Sequence, residues 1–477
     1  MSNFDLSALS SDIVSFNNFS LTPTDPSDIF EFSLANDRTL GLNLHNISVG
    51  DDADLLLYRD SNNNGILDSG DLLVASSGVS GNANDVIRYS ATAGTYFAEV
   101  RRYGPGSSGA VRYDLDLSAI YSLDAALSSQ TVSYDNFGLS AADPTDVFEF
   151  DILNDRTIQL HLNNISAGDD ADLRLFRDSN GNGIFDAGDQ EVANSTNPGN
   201  ASDIIDYSAT AGTYFAQVER WTTSSGDVQY DLNLSAIYGL GTPLGSAIVG
   251  YDSFGLSAAD PTDVFEFTIA NDRDLQLNLH NISTGDDADL RLFRDSNGNG
   301  IFDADDQEVA RSLNGGNASD IIDYVATAGT YFAQVERWDT GNGAASYDLD
   351  LAAVYNLGKL GSSAIALSNY SLTPADPNDV FEFSLGSDNT INLSLNNISA
   401  GNDADLRLFR DSNQNGILDS GDQLLDASLA SGNASESITY HGRRWHHLRR
   451  GLVDKILVAQ LLLAALNLRQ QGYRSSF

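Results

Sequence analysis

The chain has 477 residues, with 67 Asp and Glu against 25 Lys and Arg, a formal net charge of −42 and no Cys. That balance excludes nucleic-acid binding, which needs Lys and Arg for phosphate contacts. Absent thiols exclude disulfide frameworks, thiolate zinc sites and cysteine nucleophiles. The N-terminus, Met1-Ser2-Asn3-Phe4-Asp5, lacks the basic start and apolar core of an ordinary signal peptide. No apolar run in the first 440 residues approaches the roughly 20 needed to span a bilayer, so no transmembrane segment is expected.

Four repeats follow in order. Asp28-Ile29-Phe30-Glu31-Phe32 recurs from Asp146, Asp263 and Asp379, at spacings of 118, 117 and 116 residues. Residues 168–187 and 285–304 are identical. A period near 117 is too long for a solenoid unit and suits an autonomous domain, which predicts beads on a string. The expected domains are residues 14–121, 131–238, 247–355 and a truncated 364–440, separated by short Gly/Ser/Leu-rich linkers, with an aberrant tail at 441–477. Within repeat two the apolar period is two: Val147-Phe148-Glu149-Phe150, Thr157 to Leu162, Leu173 to Phe176, Ile204 to Tyr207, Thr213 to Val218 and Tyr230 to Leu234. Gly, Asn, Asp and Ser clusters separate these runs. The pattern predicts an all-β fold of tandem antiparallel, jelly-roll-like β-sandwich domains.

The sharpest chemical signal follows the third strand. Taking Asp178 as position one, side-chain oxygens fall at one, three, five, nine and twelve: Asp178, Asn180, Asn182, Asp186 and Asp189. Gly183 stands at six, and Ile184 offers a backbone carbonyl at seven. This is the ligand order of an EF-hand-type Ca2+ loop, because a hard cation needs six to eight oxygens and alternate residues of a tight loop point inward. Repeat one supplies Asp60, Asn62, Asn64, Ile66, Asp68 and Asp71. Repeat three supplies Asp295, Asn297, Asn299, Ile301, Asp303 and Asp306, and repeat four Asp411, Asn413, Asn415, Ile417, Asp419 and Asp422. Asp replaces the usual Glu at position twelve and two donors are neutral, so the expected affinity is that of extracellular modules, Kd on the order of 10⁻⁴–10⁻³ M. The flanks read as strands rather than paired helices. The rival reading is a polar hairpin loop with no metal.

Three other features are weaker. Strand counting places Asp146 at the same pole as Asp169, Asp170 and Asp172, either as a second cation site or as solvated turn aspartates. His45 and His280 occupy equivalent positions, His161 is offset by two and repeat four has Asn396, which reads as surface or cross-strand residues rather than a catalytic set. No G-x-S-x-G, H-E-x-x-H or P-loop motif occurs, so no enzyme is expected. Trp221 and Trp338 each end a Val-Glu-Arg-Trp run, as a sandwich-edge cover or a sugar- or peptide-stacking platform.

The phrases Ala171-Asp172-Leu173-Arg174-Leu175-Phe176 and Ala211-Gly212-Thr213-Tyr214-Phe215, in this order, resemble the bacterial pre-peptidase C-terminal domain. The resemblance covers nearly all of residues 14–440. It implies a secreted jelly-roll sandwich appended to proteases and other exported proteins, some binding calcium and some collagen or other extracellular polymers. No protease domain accompanies it here, and the aspartate-rich loop departs from the minimal family pattern.

The tail breaks the pattern. Residues 441–477 hold seven Lys and Arg against one acid. Repeat four stops at Tyr440, where its siblings continue into Ala-Gly-Thr-Tyr, and Trp445-His446 read one base later yields Gly, so a frameshift is one explanation. The other is functional: Leu452 to Leu468 is apolar enough for a helix lying on a membrane surface. Repeat four is then expected to keep an open, unpaired sheet edge. Together these readings describe a non-enzymatic extracellular or cell-surface, calcium-binding spacer or binding array for a matrix polymer, polysaccharide or protein. The alternatives are a fragment of a secreted peptidase or hydrolase and a component of an adhesin.

Overall fold

The computed structural model describes residues 2–103, 109–123, 125–221, 227–338, 344–374, 376–385, 389–413, 415–442 and 455–461. All regular structure among them is β. Among the described residues no helix is long and apolar enough to cross a membrane, which says nothing about a β-barrel. The chain forms two compact units, Met1–Ile237 and Tyr238–Phe477.

In the first unit the strands run β1 (Ser2–Ala8), β2 (Val14–Leu21), β3 (Ser27–Leu34), β4 (Arg38–His45), β5 (Ala53–Arg59), β6 (Leu72–Ser77), β7 (Asp85–Ala91), β8 (Gly94–Arg102) and β9 (Val111–Ser122) through repeat one. Repeat two continues with β10 (Val132–Leu139), β11 (Thr145–Ile152), β12 (Arg156–Asn163), β13 (Ala171–Arg177), β14 (Gln190–Ser195), β15 (Asp203–Ala209), β16 (Gly212–Arg220) and β17 (Val228–Gly239). Repeat one has two layers. One sheet is ordered β1-β3-β8-β5-β6, and the other places β4 between β7 and β9, with β2 on β9. Alternating residues of both layers meet in one core, including Phe30, Leu55, Tyr96 and Val100 from the first and Leu42, Ile87 and Leu115 from the second. Repeat two repeats this arrangement, with β11-β16-β13-β14 facing β12, β15 and β17.

The repeats of this unit are not beads joined by loose linkers. The end of β9 pairs in parallel with β11, Tyr121 opposite Phe148, so one sheet passes from repeat one into repeat two. The stretch expected to be a linker is tied down: Leu123 N donates to Glu149 O (2.9 Å), Leu127 N donates to Asp151 O (2.9 Å), and Leu127 is buried in the second core. β1 performs the same service for repeat one, Phe4 opposite Phe30. The rings stack alike, with centroids 5.0 Å apart for Phe4–Phe30 and 5.1 Å for Tyr121–Phe148.

The second unit uses the same device. Strand Ala345–Leu360 pairs in parallel with Asn378–Leu385, with Tyr355 stacked on Phe381 at 5.1 Å. Among the described residues its fourth repeat is reduced: one layer is Asn389–Leu395 paired with Glu436–Gly442, and its core is small. Two expectations for the tail are corrected here. Lys455–Leu461, inside the segment expected to be helical, is a strand, and the rest of that segment lies outside the described residues. This strand lies antiparallel between Asn378–Leu385 and Asp405–Arg410, so the sheet is not left open there. It fills the slot that β16 fills between β11 and β13. The vacant backbone donors and acceptors on both sides outweigh the helical tendency of an apolar run.

Candidate functional site

Each aspartate-rich loop leaves the end of a strand such as β13 and returns along β14. Positive φ is needed at two of its positions. Position six is Gly65 (69°), Gly183 (70°), Gly300 (75°) and Gly416 (78°), and position four is Asn63 (54°), Gly181 (71°) or Gly298 (74°). Gly takes such angles without steric cost and Asn tolerates them, which is why these residue types stand there.

The polar side chains of the loop hydrogen-bond within it. Asp178 Oδ1 accepts from Gly181 N (2.7 Å) and Oδ2 from Gly183 N (2.9 Å). Asn180 and Asn182 accept from the backbone two residues on, at 3.0 and 2.9 Å. Their amide nitrogens donate to Asp186, Asn180 to Oδ1 at 3.0 Å and Asn182 to Oδ2 at 2.6 Å. Asp189 Oδ2 accepts from Asp186 N (2.9 Å), and its buried Oδ1 faces the Ser179 N–H, as Asp71, Asp306 and Asp422 Oδ1 accept from Ser61, Ser296 and Ser412 N at 3.2, 3.3 and 3.0 Å. Burial pushes Asp189 up to about 7; nearby backbone N–H groups oppose this, and the Asp186 and Asp178 carboxylates add to it. Asp306 and Asp422, also driven first by burial, are pushed up to about 6. A buried carboxylate beside two like charges fits a cation, which would relieve the repulsion. Among the described residues no three His, Asp or Glu side chains form a metal-holding group by themselves. An ion here would therefore also draw on the oxygens of Asn180, Asn182 and Ile184.

The loop's neighbours were not legible in the spacing. In the first unit the loop of repeat two seats on the sheet of repeat one. Ile184 is buried, and a Cβ added to Gly41 of β4 would stand 2.5 Å from its Cγ2, so this close approach requires glycine. Asn43 Nδ2 of β4 donates to Asp186 Oδ2 (3.1 Å). Phe185 packs with Val147 and Phe215 of repeat two and Ile120 of repeat one. Beside them Arg88 pairs with Glu149 at 2.7 Å. Arg38 lies 3.6 Å from Asp146 and 3.7 Å above the Tyr121 ring. In the second unit Gln276 donates to Glu382 (2.7 Å), and Val354, Val380, Phe409 and Leu418 form a corresponding small cluster. Ile66 of repeat one, at the same loop position, is 64% exposed.

The remaining candidates separate. Asp146 and Asp172 lie at the same end of repeat two, opposite Val218 and Glu219 of β16. Successive residues of a strand face opposite sides, so Asp146 points into the core, where Tyr230 Oη donates to it (2.7 Å), and Asp172 points outward. The second acidic group therefore excludes Asp146. His45 Nε2 lies 3.0 Å from Asp116 Oδ2, and His280 Nε2 lies 3.0 Å from Asp350 Oδ2, as cross-strand pairs. The hydrogen bond to Asp116 is the main cause that raises His45. Trp221 and Trp338 are exposed.

No curated protein matches this chain. Among solved structures, it is similar to the pre-peptidase C-terminal domain of collagenase from Bacillus anthracis, at 18% identity and a TM-score of 0.19, over 24% of this chain and 95% of that one. It is also similar to the CUB1-EGF-CUB2 domains of rat MASP-1, at 7% identity and a TM-score of 0.17, over 49% of this chain and 100% of that one. Two tandem segments, residues 144–220 and 261–337, match the bacterial pre-peptidase C-terminal domain family.

Proposed function

We propose that the chain is a non-enzymatic, extracellular spacer or binding array whose aspartate-rich loops bind calcium and thereby brace the joints between repeats. Each full repeat closes as a jelly-roll-like sandwich. The observation that carries the reading is the seat of Asp186 and Ile184: position nine of the loop is hydrogen-bonded to Asn43, and position seven is packed on Gly41, both in the preceding repeat. A cation drawn to Asp178, Asp186 and Asp189 fixes the loop, and the loop fixes the joint. The family of the two matched segments is non-catalytic and occurs in secreted proteins, which supports the extracellular setting.

The test is a thermal melt of the full chain in calcium, in magnesium and in chelator. A ligand that binds only the native state must stabilise it, so calcium raises the Tm by several degrees, magnesium less, and chelator reverses the gain. Three superimposable melts sink the reading. A second reading, an accessory region of a secreted peptidase, is favoured by the description of the matched family. A peptidase domain encoded in the same reading frame would decide for it.

A further inference from the structure

In repeat three, two turns and a strand end enclose a cleft of about 370 Å³, lined by Gly285, Asp286, Asp287, Gly316, Asn317 and Trp338. It lies at the end of strand Ala288–Arg294 away from the aspartate-rich loop. Both glycines stand at positive φ, 96° and 71°, with open space where a Cβ would be, so neither turn fills the cleft with a side chain there. The backbone of Trp338 is tied down, its N–H donating to Asp287 O (3.0 Å), yet the residue is 65% exposed. Asp286 is held by Ser283, whose hydroxyl donates to Oδ2 and whose Oγ accepts in turn from Ser346 N (3.0 Å). Among the described residues, Asp286 Oδ1 and the side-chain amide of Asn317 make no hydrogen bond. The same residue types recur in repeat two as Gly168-Asp169-Asp170, Gly199-Asn200 and Trp221. In repeat one they recur as Gly50-Asp51-Asp52, Gly81-Asn82 and Tyr103. Trp221 N donates to Asp170 O and Tyr103 N to Asp52 O, each at 3.0 Å, and both rings belong to exposed residues. The aromatic persists in repeat one although Arg101 replaces the Glu that stands two residues before each Trp.

A ring that only covered a sandwich edge would be largely buried there, whereas this one leaves most of its surface to water in every full repeat. The groups beside it select a ligand class. The face of an indole is the negative side of its quadrupole and attracts a face of polarised C–H bonds. A carboxylate oxygen accepts from a hydroxyl, and an amide both donates and accepts. A pyranose ring offers the matching halves, C–H bonds across one face and hydroxyls around its rim. No Lys, Arg or His lines the cleft, so a sulfated, phosphorylated or uronic sugar would meet two carboxylates with nothing to offset its charge. An apolar ligand would leave the carboxylates and the amide unpaired. A basic ligand would suit the carboxylates but set its charge against the N–H donors of Asn317.

We propose that this cleft and its counterparts in repeats one and two bind the sugar rings of a neutral polysaccharide, with Trp338, Trp221 and Tyr103 as the stacking platforms. The inference stands whether or not the aspartate-rich loops hold calcium, since none of their residues lines the cleft. One open cleft grips a ring or two weakly. A polymer that engages several clefts of one chain gains through effective concentration, which is what a repeated site supplies.

The experiment runs the full chain, in chelator throughout, on native gels that contain hydroxyethylcellulose, dextran or galactomannan, with polylysine as a basic control. At least one of the three neutral polymers should retard the chain. W221A/W338A should weaken that retardation at least about tenfold, W338A alone by less, and W338Y should keep part of what W338A loses. N317A should weaken it with the ring in place. D178N/D295N, which alters only the aspartate-rich loops, should bind as wild type does. The rings are exposed, so the tryptophan variants should melt with the wild type. The proposal is overturned if no neutral polymer retards the chain, including the case in which polylysine alone does so through the tryptophans. It is equally overturned if retardation survives W221A/W338A, if W338A and N317A both bind as wild type does, or if the tryptophan variants melt several degrees lower, which marks the rings as structural covers.

Discussion

Ile184 and Ile66 occupy the same loop position, yet one is 2% exposed and the other 64%. The difference is the preceding sheet that Ile184 meets at Gly41. Truncating a buried Ile to Ala removes contacts and leaves a cavity, so I184A should cost about 2–4 kcal/mol in urea unfolding. I66A, on a solvated loop, should stay within about 0.5 kcal/mol. Equal effects would mean that the loop does not bear on its neighbour. Asp146 offers a different test. Burial pushes it up to about 6, against the pull of Tyr230 and Arg38. A carboxyl whose folded-state pKa lies above its unfolded value favours folding as it takes up a proton, so this group's contribution improves as pH falls from above 6 towards 4. At neutral pH the charge costs about 3 kcal/mol. D146N should therefore be more stable than wild type near pH 7, and its advantage should disappear near pH 4. Urea midpoints of the two proteins across that range check it, and a constant difference refutes it.

The strands of a full repeat were legible because alternation of two exposes them, as in Thr157 to Leu162. The turn at Gly183 was legible too, since its place in an Asn-Gly run marks a position of positive φ. The stretch from Ser122 to Thr131 was not. Its small residues read as a linker, and only the parallel register of Tyr121 on Phe148 reveals that it is built into the next core. The site of Ile184 was hidden for the same reason: no spacing within one repeat encodes the sheet of another. Lys455–Leu461 misled through its apolar run, because an open slot between two strands overrides intrinsic preference. The donated strand makes a direct prediction. A fragment of residues 118–237 should unfold cooperatively, whereas residues 131–237, which lack Tyr121, Leu123 and Leu127, should not. Circular dichroism melts of the two compare them, and indistinguishable curves would show that the donated strand is dispensable.

At the scale of the molecule, a net charge of −42 is carried by a chain folded into compact units. Self-repulsion on that scale opposes compaction, and bound cations relieve it. The joint has a further consequence. β1 does for repeat one what the end of β9 does for repeat two, so both acceptor sheets of the first unit receive the same kind of guest. Inserting or deleting one whole period then asks nothing new of either flank. Such a gene is free to lengthen or shorten by unequal crossing-over while each product remains foldable, and the identical stretches 168–187 and 285–304 are what recent copying of this sort leaves behind.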